Sequence, residues 1–450
     1  MNKYIVTTIA SIISLTLSAC SLIPSYQRPQ IAIPEAWSTG STASRSQGEE
    51  LPFWQALGNE DLTRVMKVAL AQNLDLQAAL HRIDQARAQA KIAGAALWPS
   101  LDASTSVSRN YQEASAESPW SGLTALNYEL DLWGRNRSQA AAAKHRVEAS
   151  QYDREALRLV VAADTTVLYT QILGFNERIR IAQINLKNAE EVLRIIEARF
   201  RAGAVSALEV SQQKVAVNNI RTALTTLTEQ RATALNALAI LLGQPPQRFE
   251  AAPKAELAAM RIPEVDLTPP ASLLTARPDI RSAEAGLHAA NADIGAARAA
   301  LFPSVKLGVD PSVAAAGFGH PATTALSLAT NVLAPIFSGG RLQGNVENVT
   351  ARQKELAAQY QKTVLTAFKE VEDALAALQS AQQQVALSEQ SVKESQNAYT
   401  IAKARFDAGA IDYLSLLETQ RSLSQAEDAQ LVATVEQVEA FVQLRKALGS

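Results

Sequence analysis

Cysteine, histidine, methionine and aromatic side chains are all scarce in this sequence. Of 450 residues, one is cysteine, four are histidine and three are methionine, and aromatics make up 5%. A single cysteine excludes an intramolecular disulfide. The histidines (His81, His145, His288 and His320) are scattered along the chain, each reading as a surface or packing residue rather than a metal ligand. So few His and Met leave little from which to build a dedicated copper relay. No phosphate-binding glycine loop is present. The residue types that would make an enzyme or hold a cofactor are therefore not assembled anywhere in the sequence. A formal net charge of −2 gives no electrostatic pull toward nucleic acid. The apolar run from Tyr4 to Leu17 is too short to span a membrane as a helix. What remains is Ala, Leu, Gln, Glu, Arg and Val, a composition suited to long, closely packed helices.

The lone cysteine is informative by position. Residues 1–19 have a weakly basic start at Lys3, the apolar run, and small residues before Cys20. The stretch Leu17-Ser18-Ala19-Cys20 resembles the lipobox of bacterial lipoproteins, which implies removal of 1–19 and acylation of Cys20. Ser21 in the next position implies sorting to the outer membrane. The alternative is a plain secretory signal beside an incidental cysteine. Either reading makes the protein exported. Residues 20–58, with Pro24, Pro29, Pro34 and Pro52, are expected to be extended.

The rest of the chain is a duplication. Ala198-Arg199-Phe200-Arg201-Ala202-Gly203-Ala204 returns as Ala404-Arg405-Phe406-Asp407-Ala408-Gly409-Ala410. The separation from Gly203 to Gly409, 409 − 203 = 206, is repeated between Gly243 and Gly449. Each copy reads as the tip of a helical hairpin: a glycine stops the incoming helix, and an N-cap starts the next. In the first copy Ser206 and Glu209 make a capping box; in the second Asp412 takes the cap and Ser415 replaces the glutamate. The first repeat is expected to cover 59–243 and the second 271–450. Residues 244–270, rich in proline, connect them.

Within each repeat the period changes twice. A helix predicted from Asn59 to about Ala96 stops at Trp98-Pro99, and its counterpart from Ala271 to Ala300 stops at Phe302-Pro303. Alternation then takes over, with strands expected at about 100–132 and 303–335. Leu101, Ala103, Thr105 and Val107 face one side and Asp102, Ser104, Ser106 and Ser108 the other. Leu126, Tyr128, Leu130 and Leu132 repeat the pattern, as do Val305, Leu307 and Val309. A membrane barrel wants one apolar and one polar face, although a half-buried soluble hairpin gives the same alternation. Trp98, Trp120 and Trp133 flank these strands as an aromatic girdle would. Four strands cannot close in lipid, so a membrane reading forces oligomerisation. Long helices are expected at about 135–242 and 340–448. The run from Arg135 to Ala202 has no proline and predicts a helix of about 100 Å at 1.5 Å per residue. Leu224, Leu227, Leu235, Leu238 and Leu242 supply a coiled-coil seam in the returning helix.

Together these features resemble the outer-membrane factors, the TolC-type ducts, and within them the lipoprotein branch serving resistance-nodulation-division efflux pumps. The likeness rests on Cys20, on Asp131-Leu132-Trp133-Gly134-Arg135, on Arg277-Pro278-Asp279-Ile280, on Gly295 to Ser304, and on both tips. It covers essentially the whole mature chain. It implies a mainly α fold with a small β part, built from a duplicated helix–strand–strand–helix–helix unit. It further implies a homotrimer whose strands form one 12-stranded outer-membrane barrel continued by a periplasmic α-helical barrel. A periplasmic adaptor and an inner-membrane transporter are the implied partners, and the lipid on Cys20 is the only covalent addition. By the same likeness the tips at Gly203, Ala204, Gly409 and Ala410 dock the adaptor, while Leu414, Glu418, Arg421 and Phe406 form the periplasmic gate. Leu414 would give an apolar ring, Glu418 a charged ring, and Arg421 a partner for a carboxylate on a neighbouring helix. Phe406 stands where related ducts often carry tyrosine, which removes a hydroxyl. Only the second tip supplies the charge, since Gln212 stands opposite Glu418. The expected function is a passive exit duct of a tripartite efflux pump. The alternatives are the duct of a type I protein secretion system or heavy-metal pump, and a periplasmic coiled-coil scaffold without a pore.

Overall fold

The computed structural model describes residues 22–38, 52–109, 118–249, 253, 255–265 and 267–450. Cys20 and its lipobox lie outside the described residues. Two helices, α1 (Glu60–Gln72) and α2 (Leu74–Ala95), lead into strands β1 (Ser100–Val107) and β2 (Trp120–Leu130). Then come the long hairpin helices α3 (Arg135–Arg201) and α4 (Ala207–Leu241). The second repeat supplies α5 (Pro278–Ala299), β3 (Ser304–Ala315), β4 (Thr323–Leu333), α6 (Arg341–Asp407) and α7 (Tyr413–Leu448). Both α3 and α6 are 67 residues long.

The helix expected to run unbroken from Asn59 is interrupted at Asn73. There the backbone is extended (φ −60°, ψ 125°). The Asn73 side chain accepts from the Leu76 amide at 3.0 Å and donates to the Leu241 carbonyl at 3.0 Å. A buried asparagine capping a new helix outcompetes one more turn of the old one. Apolar spacing is blind to this, because the stripe continues on both sides.

The four strands form one antiparallel sheet in the order β1-β2-β3-β4. Its register puts Leu101, Leu126, Val309 and Leu328 in a single row across all four strands. Partners in a row share a face, so this side of the sheet is apolar from edge to edge. The other side carries the polar set: Asp102 opposite Ala125, Lys306 between Glu129 and Asn331, and Asp310 opposite Ser327. Trp120 sits on the apolar face, opposite Val107 and Ala315. Trp133 lies past the end of β2, in the link to α3. Its ring stacks on Phe302 at 4.8 Å and its Nε1 donates to the Pro303 carbonyl at 2.7 Å. Among the described residues, neither edge strand has a neighbour on its outer side.

Packing divides the chain into two compact units, and each draws on both repeats. One unit holds Leu80–Asp153 and Asp279–Thr363 with the N-terminal segment up to Ile31. Its core helix is α5, lined with buried Ala285, Ala289, Ala290, Ala292, Ala296 and Ala297. The missing side chain at Gly295 lets the N-terminal segment lie close: a Cβ there would come within 2.5 Å of the Ile23 side chain. Arg28 makes a two-pronged contact with Glu284 at 2.7 and 2.8 Å, and Asn291 donates to the Pro24 carbonyl at 2.7 Å. This unit also joins two histidines that the sequence separates. His145 and His288 stack 5.2 Å apart, with the Tyr26 ring 3.8 Å from that of His288, and burial lowers the His288 pKa.

The second unit comprises Ala32–Ala79, Arg154–Pro278 and Val364–Ser450. Leu227, Leu238 and Leu242 of the expected seam are buried, and Leu224 and Leu235 are half-buried. Between α3 and α7 polar pairs add to the apolar packing. Arg178 holds Asp428 with two bonds of 2.6 and 3.0 Å, Asn185 donates to Glu427 at 2.9 Å, and Gln171 donates to Glu439 at 2.8 Å.

Candidate functional site: the paired helical tips

The two tips are copies in geometry as well as in sequence. Gly203 has φ +74° and Gly409 φ +73°, a conformation that costs other residues about 1 kcal/mol or more. The Gly203 amide bonds the Phe200 carbonyl at 3.0 Å and the Ala204 amide bonds Arg199 at 2.8 Å. Gly409 to Phe406 at 3.0 Å and Ala410 to Arg405 at 2.8 Å repeat that pattern. Gly203, Ala204, Gly409 and Ala410 are all exposed.

The helices leaving the tips start differently. Ser206 and Glu209 form the capping box: the Ser206 amide donates to Glu209 at 2.8 Å, and the Ser206 hydroxyl also donates to that carboxylate. Asp412 accepts from the Ser415 amide at 2.8 Å. The Ser206 hydroxyl holds Glu209 below the ordinary glutamate pKa, and the Ser415 amide does the same for Asp412.

Beneath the second tip lies a small core of Val192, Ile196, Ala216, Ala402, Phe406, Tyr413, Leu416 and Leu417. Phe406 is part of it. The ring is buried, edge-on to Tyr413 at 6.5 Å, and the Arg199 guanidinium stands 4.4 Å over its face. The candidate gate set therefore splits. Leu414 is 55% exposed, and Glu418 and Arg421 are exposed on the same face of α7, four and seven residues on. Phe406 points away from them, into the core. Among the described residues, neither Glu418 nor Arg421 has an ion-pair partner.

This core holds a buried hydroxyl, that of Tyr413. Tyr413, buried in the same core, donates to the Gln213 side-chain oxygen, and Gln213 Nε2 donates to the Ala189 carbonyl at 2.7 Å. One polar chain thus joins α7, α4 and α3. Burial pushes the Tyr413 pKa up to about 12, so it is a donor at every physiological pH. Sequence reasoning missed all three of Arg199, Gln213 and Tyr413. A signal for Gln213 existed, since it interrupts the buried stripe that Ala216 and Val217 continue.

A sheet apolar on one face, open at both edges and carrying helical hairpins is architecture for a membrane duct, and the comparisons agree. The sequence profile of outer membrane efflux proteins matches residues 65–244 and 270–450. The chain belongs to this family. Such proteins are passive channels of the outer membrane, not enzymes, and function without a cofactor. The pyoverdine export outer membrane protein OpmQ of Pseudomonas aeruginosa is 38% identical over 97% of this chain and 94% of its own. The toluene efflux pump outer membrane protein TtgF of Pseudomonas putida is 32% identical over 97% and 95%. Among solved structures, the Campylobacter jejuni CmeC outer membrane channel superposes with a TM-score of 0.87 at 27% identity, covering 96% of this chain and 95% of its own. The open state of the Neisseria gonorrhoeae MtrE outer membrane channel gives 0.83 at 27% identity, covering 96% and 98%. This places the present chain in the outer membrane as an efflux channel subunit, with its strands in lipid and its long helices in the periplasm.

Proposed function

We propose that three copies of this chain form the exit duct of a tripartite efflux pump, anchored by acylation of Cys20. The observation that carries the proposal is the four-stranded sheet, apolar on one face, with both edges unpaired among the described residues. Open edges in lipid leave backbone groups unsatisfied at several kcal/mol each, so the sheet must close on copies of itself. A cyclic threefold arrangement closes it into twelve strands.

The exposed tips at Gly203-Ala204 and Gly409-Ala410 dock a periplasmic adaptor, through which an inner-membrane transporter supplies the energy. Three Leu414 side chains make an apolar constriction and three Glu418 carboxylates an acidic ring that favours cations. Arg421, without an ion-pair partner among the described residues of its own chain, pairs with a carboxylate of a neighbouring protomer in the closed state. Phe406 supports this gate from behind, in the core under α7. Relatives named for pyoverdine and for toluene differ widely in cargo, which suits a duct that leaves selection to its pump.

Planar-bilayer conductance of the purified full-length protein tests the reading. The expected result is small currents in the wild type that rise several-fold in Leu414→Ala or Glu418→Ala, with weaker cation preference in the latter. No conductance from a protein shown to be in the bilayer would mean a scaffold rather than a duct. Unchanged conductance in both variants would remove the gate assignment alone.

A further inference from the structure

The link from β2 into α3 ends in a clamp. Leu132-Trp133-Gly134 turns the chain, and Trp133 lies on Phe302 at 4.8 Å with 26° between the rings. Its indole nitrogen donates to the carbonyl of Pro303. Phe302-Pro303 is the junction from α5 into β3, and β3 is the strand paired with β2. At this seam, then, the aromatic residue after one strand packs on the aromatic–proline junction before the next.

Both halves of such a clamp occur a second time. Trp98-Pro99 stands before β1 as Phe302-Pro303 stands before β3, at an offset of 303 − 99 = 204. Ile336-Phe337 lies in the link from β4 to α6, Phe337 following the end of β4 at Leu333 much as Trp133 follows the end of β2 at Leu130. Yet β4 and β1 are opposite edges of the sheet, so within one chain these halves never meet. Their exposure shows it: Trp98 is 75% exposed, Ile336 91% and Phe337 90%. Two large aromatic rings and an isoleucine standing in the open at the two edges of one sheet have the character of an unmade contact.

We propose that Phe337 of each protomer stacks on Trp98 of the next, so that the barrel base carries alternating intrachain and interchain aromatic clamps. This rests on the duct reading above and goes beyond it by naming the residues that join the protomers. Strand direction alternates through the sheet, so β4 meets β1 of the next copy antiparallel, as β2 meets β3 within the chain. Closing that seam carries the β4 link to the neighbour's β1 junction, and the contact is head-to-tail, as a ring requires. The residue types exchange places: tryptophan sits on the link and phenylalanine at the junction within the chain, and the reverse holds between chains. An offset-stacked pair is attractive in either order.

Cross-linking tests the contact in the full-length, membrane-inserted protein. The Trp98→Cys/Phe337→Cys double variant, treated with a short bismaleimide, is expected to yield covalent dimer and trimer on denaturing gels, with neither single variant doing so. Trp133→Cys/Phe302→Cys is expected to remain monomeric because its pair is internal. In parallel, Trp98→Ala and Phe337→Ala should each lower the temperature at which the trimer dissociates in detergent, and combining them should lower it little further. A wild-type trimer, established by native mass, in which the double cysteine variant cross-links no more than the singles would overturn the contact and leave the duct standing. A wild-type protein with no oligomer at all would refute both.

Discussion

Removing the Tyr413 hydroxyl is the most informative single-atom change available at the tip. In Tyr413→Phe the ring still fills its place beside Phe406 and Leu417, so no cavity opens. What changes is Gln213. It is fully buried, its Nε2 stays committed to the Ala189 carbonyl, and its oxygen loses the one hydrogen bond it accepts among the described residues. Leaving a buried acceptor unsatisfied costs about 1–3 kcal/mol, more than the net value of the bond itself. Local opening of the tip should become about 5- to 150-fold more frequent. Hydrogen exchange resolves this directly: amides of Ala402–Leu417 and around Gln213 should lose protection by that factor, while those near Tyr169, midway along α3, should not change. Replacing both partners, as in Tyr413→Phe/Gln213→Leu, should restore much of the protection, because an apolar pair of similar shape leaves little unsatisfied. A loss of less than twofold in Tyr413→Phe, or a double variant as labile as the sum of the singles, would show that this polar chain does not hold the two hairpins together.

Three further outcomes are expected. Gly409→Ala and Gly203→Ala should each loosen their tip by about 1 kcal/mol, because φ is positive and no neighbour within 4 Å obstructs a Cβ; Gly94→Ala, helical and equally unobstructed, should be neutral or stabilising, and hydrogen exchange compares the three. Gly295→Ala should displace the N-terminal segment, since the new Cβ meets Ile23 at 2.5 Å; protease susceptibility of residues 22–30 reads this, and an unaltered digest would refute the close packing. The pKa values of Glu209 and Asp412 are lowered in the folded tips, so their capping contribution is complete at neutral pH and is lost as pH falls below the ordinary carboxylate range and through the lowered values. Ser206→Ala should reduce that acid sensitivity at the first tip only, as seen in exchange rates between pH 3 and 7.

The parts of the fold that were legible from sequence are those governed by a short repeat. Strand alternation, the proline stops at Trp98-Pro99 and Phe302-Pro303, the glycine tips and the Ser206 and Asp412 caps each depend on residues within a few positions of one another. The break at Asn73 was not legible, because it is decided by a bond to Leu241 on another helix. The candidate site divides in the same way. Leu414, Glu418 and Arg421 share a face because they are spaced by a helical turn, and that spacing is visible in the sequence. The inward turn of Phe406 under Arg199, the bond from Tyr413 to Gln213, and the packing of Trp133 on Phe302 were not.

By itself, then, the sequence determined a duplicated unit with a strand pair and a hairpin tip in each half, and a polar and an apolar face on every strand. Backbone geometry imposes those periods wherever the residues recur correctly. Only the tertiary structure decided which side chains meet across hundreds of positions: Tyr413 with Gln213, Trp133 with Phe302, His145 with His288. Such pairs depend on how whole elements lie against one another, and a buried hydroxyl takes whichever acceptor the packing brings within reach. The same packing left Trp98 and Phe337 uncovered beside the two edge strands of the sheet.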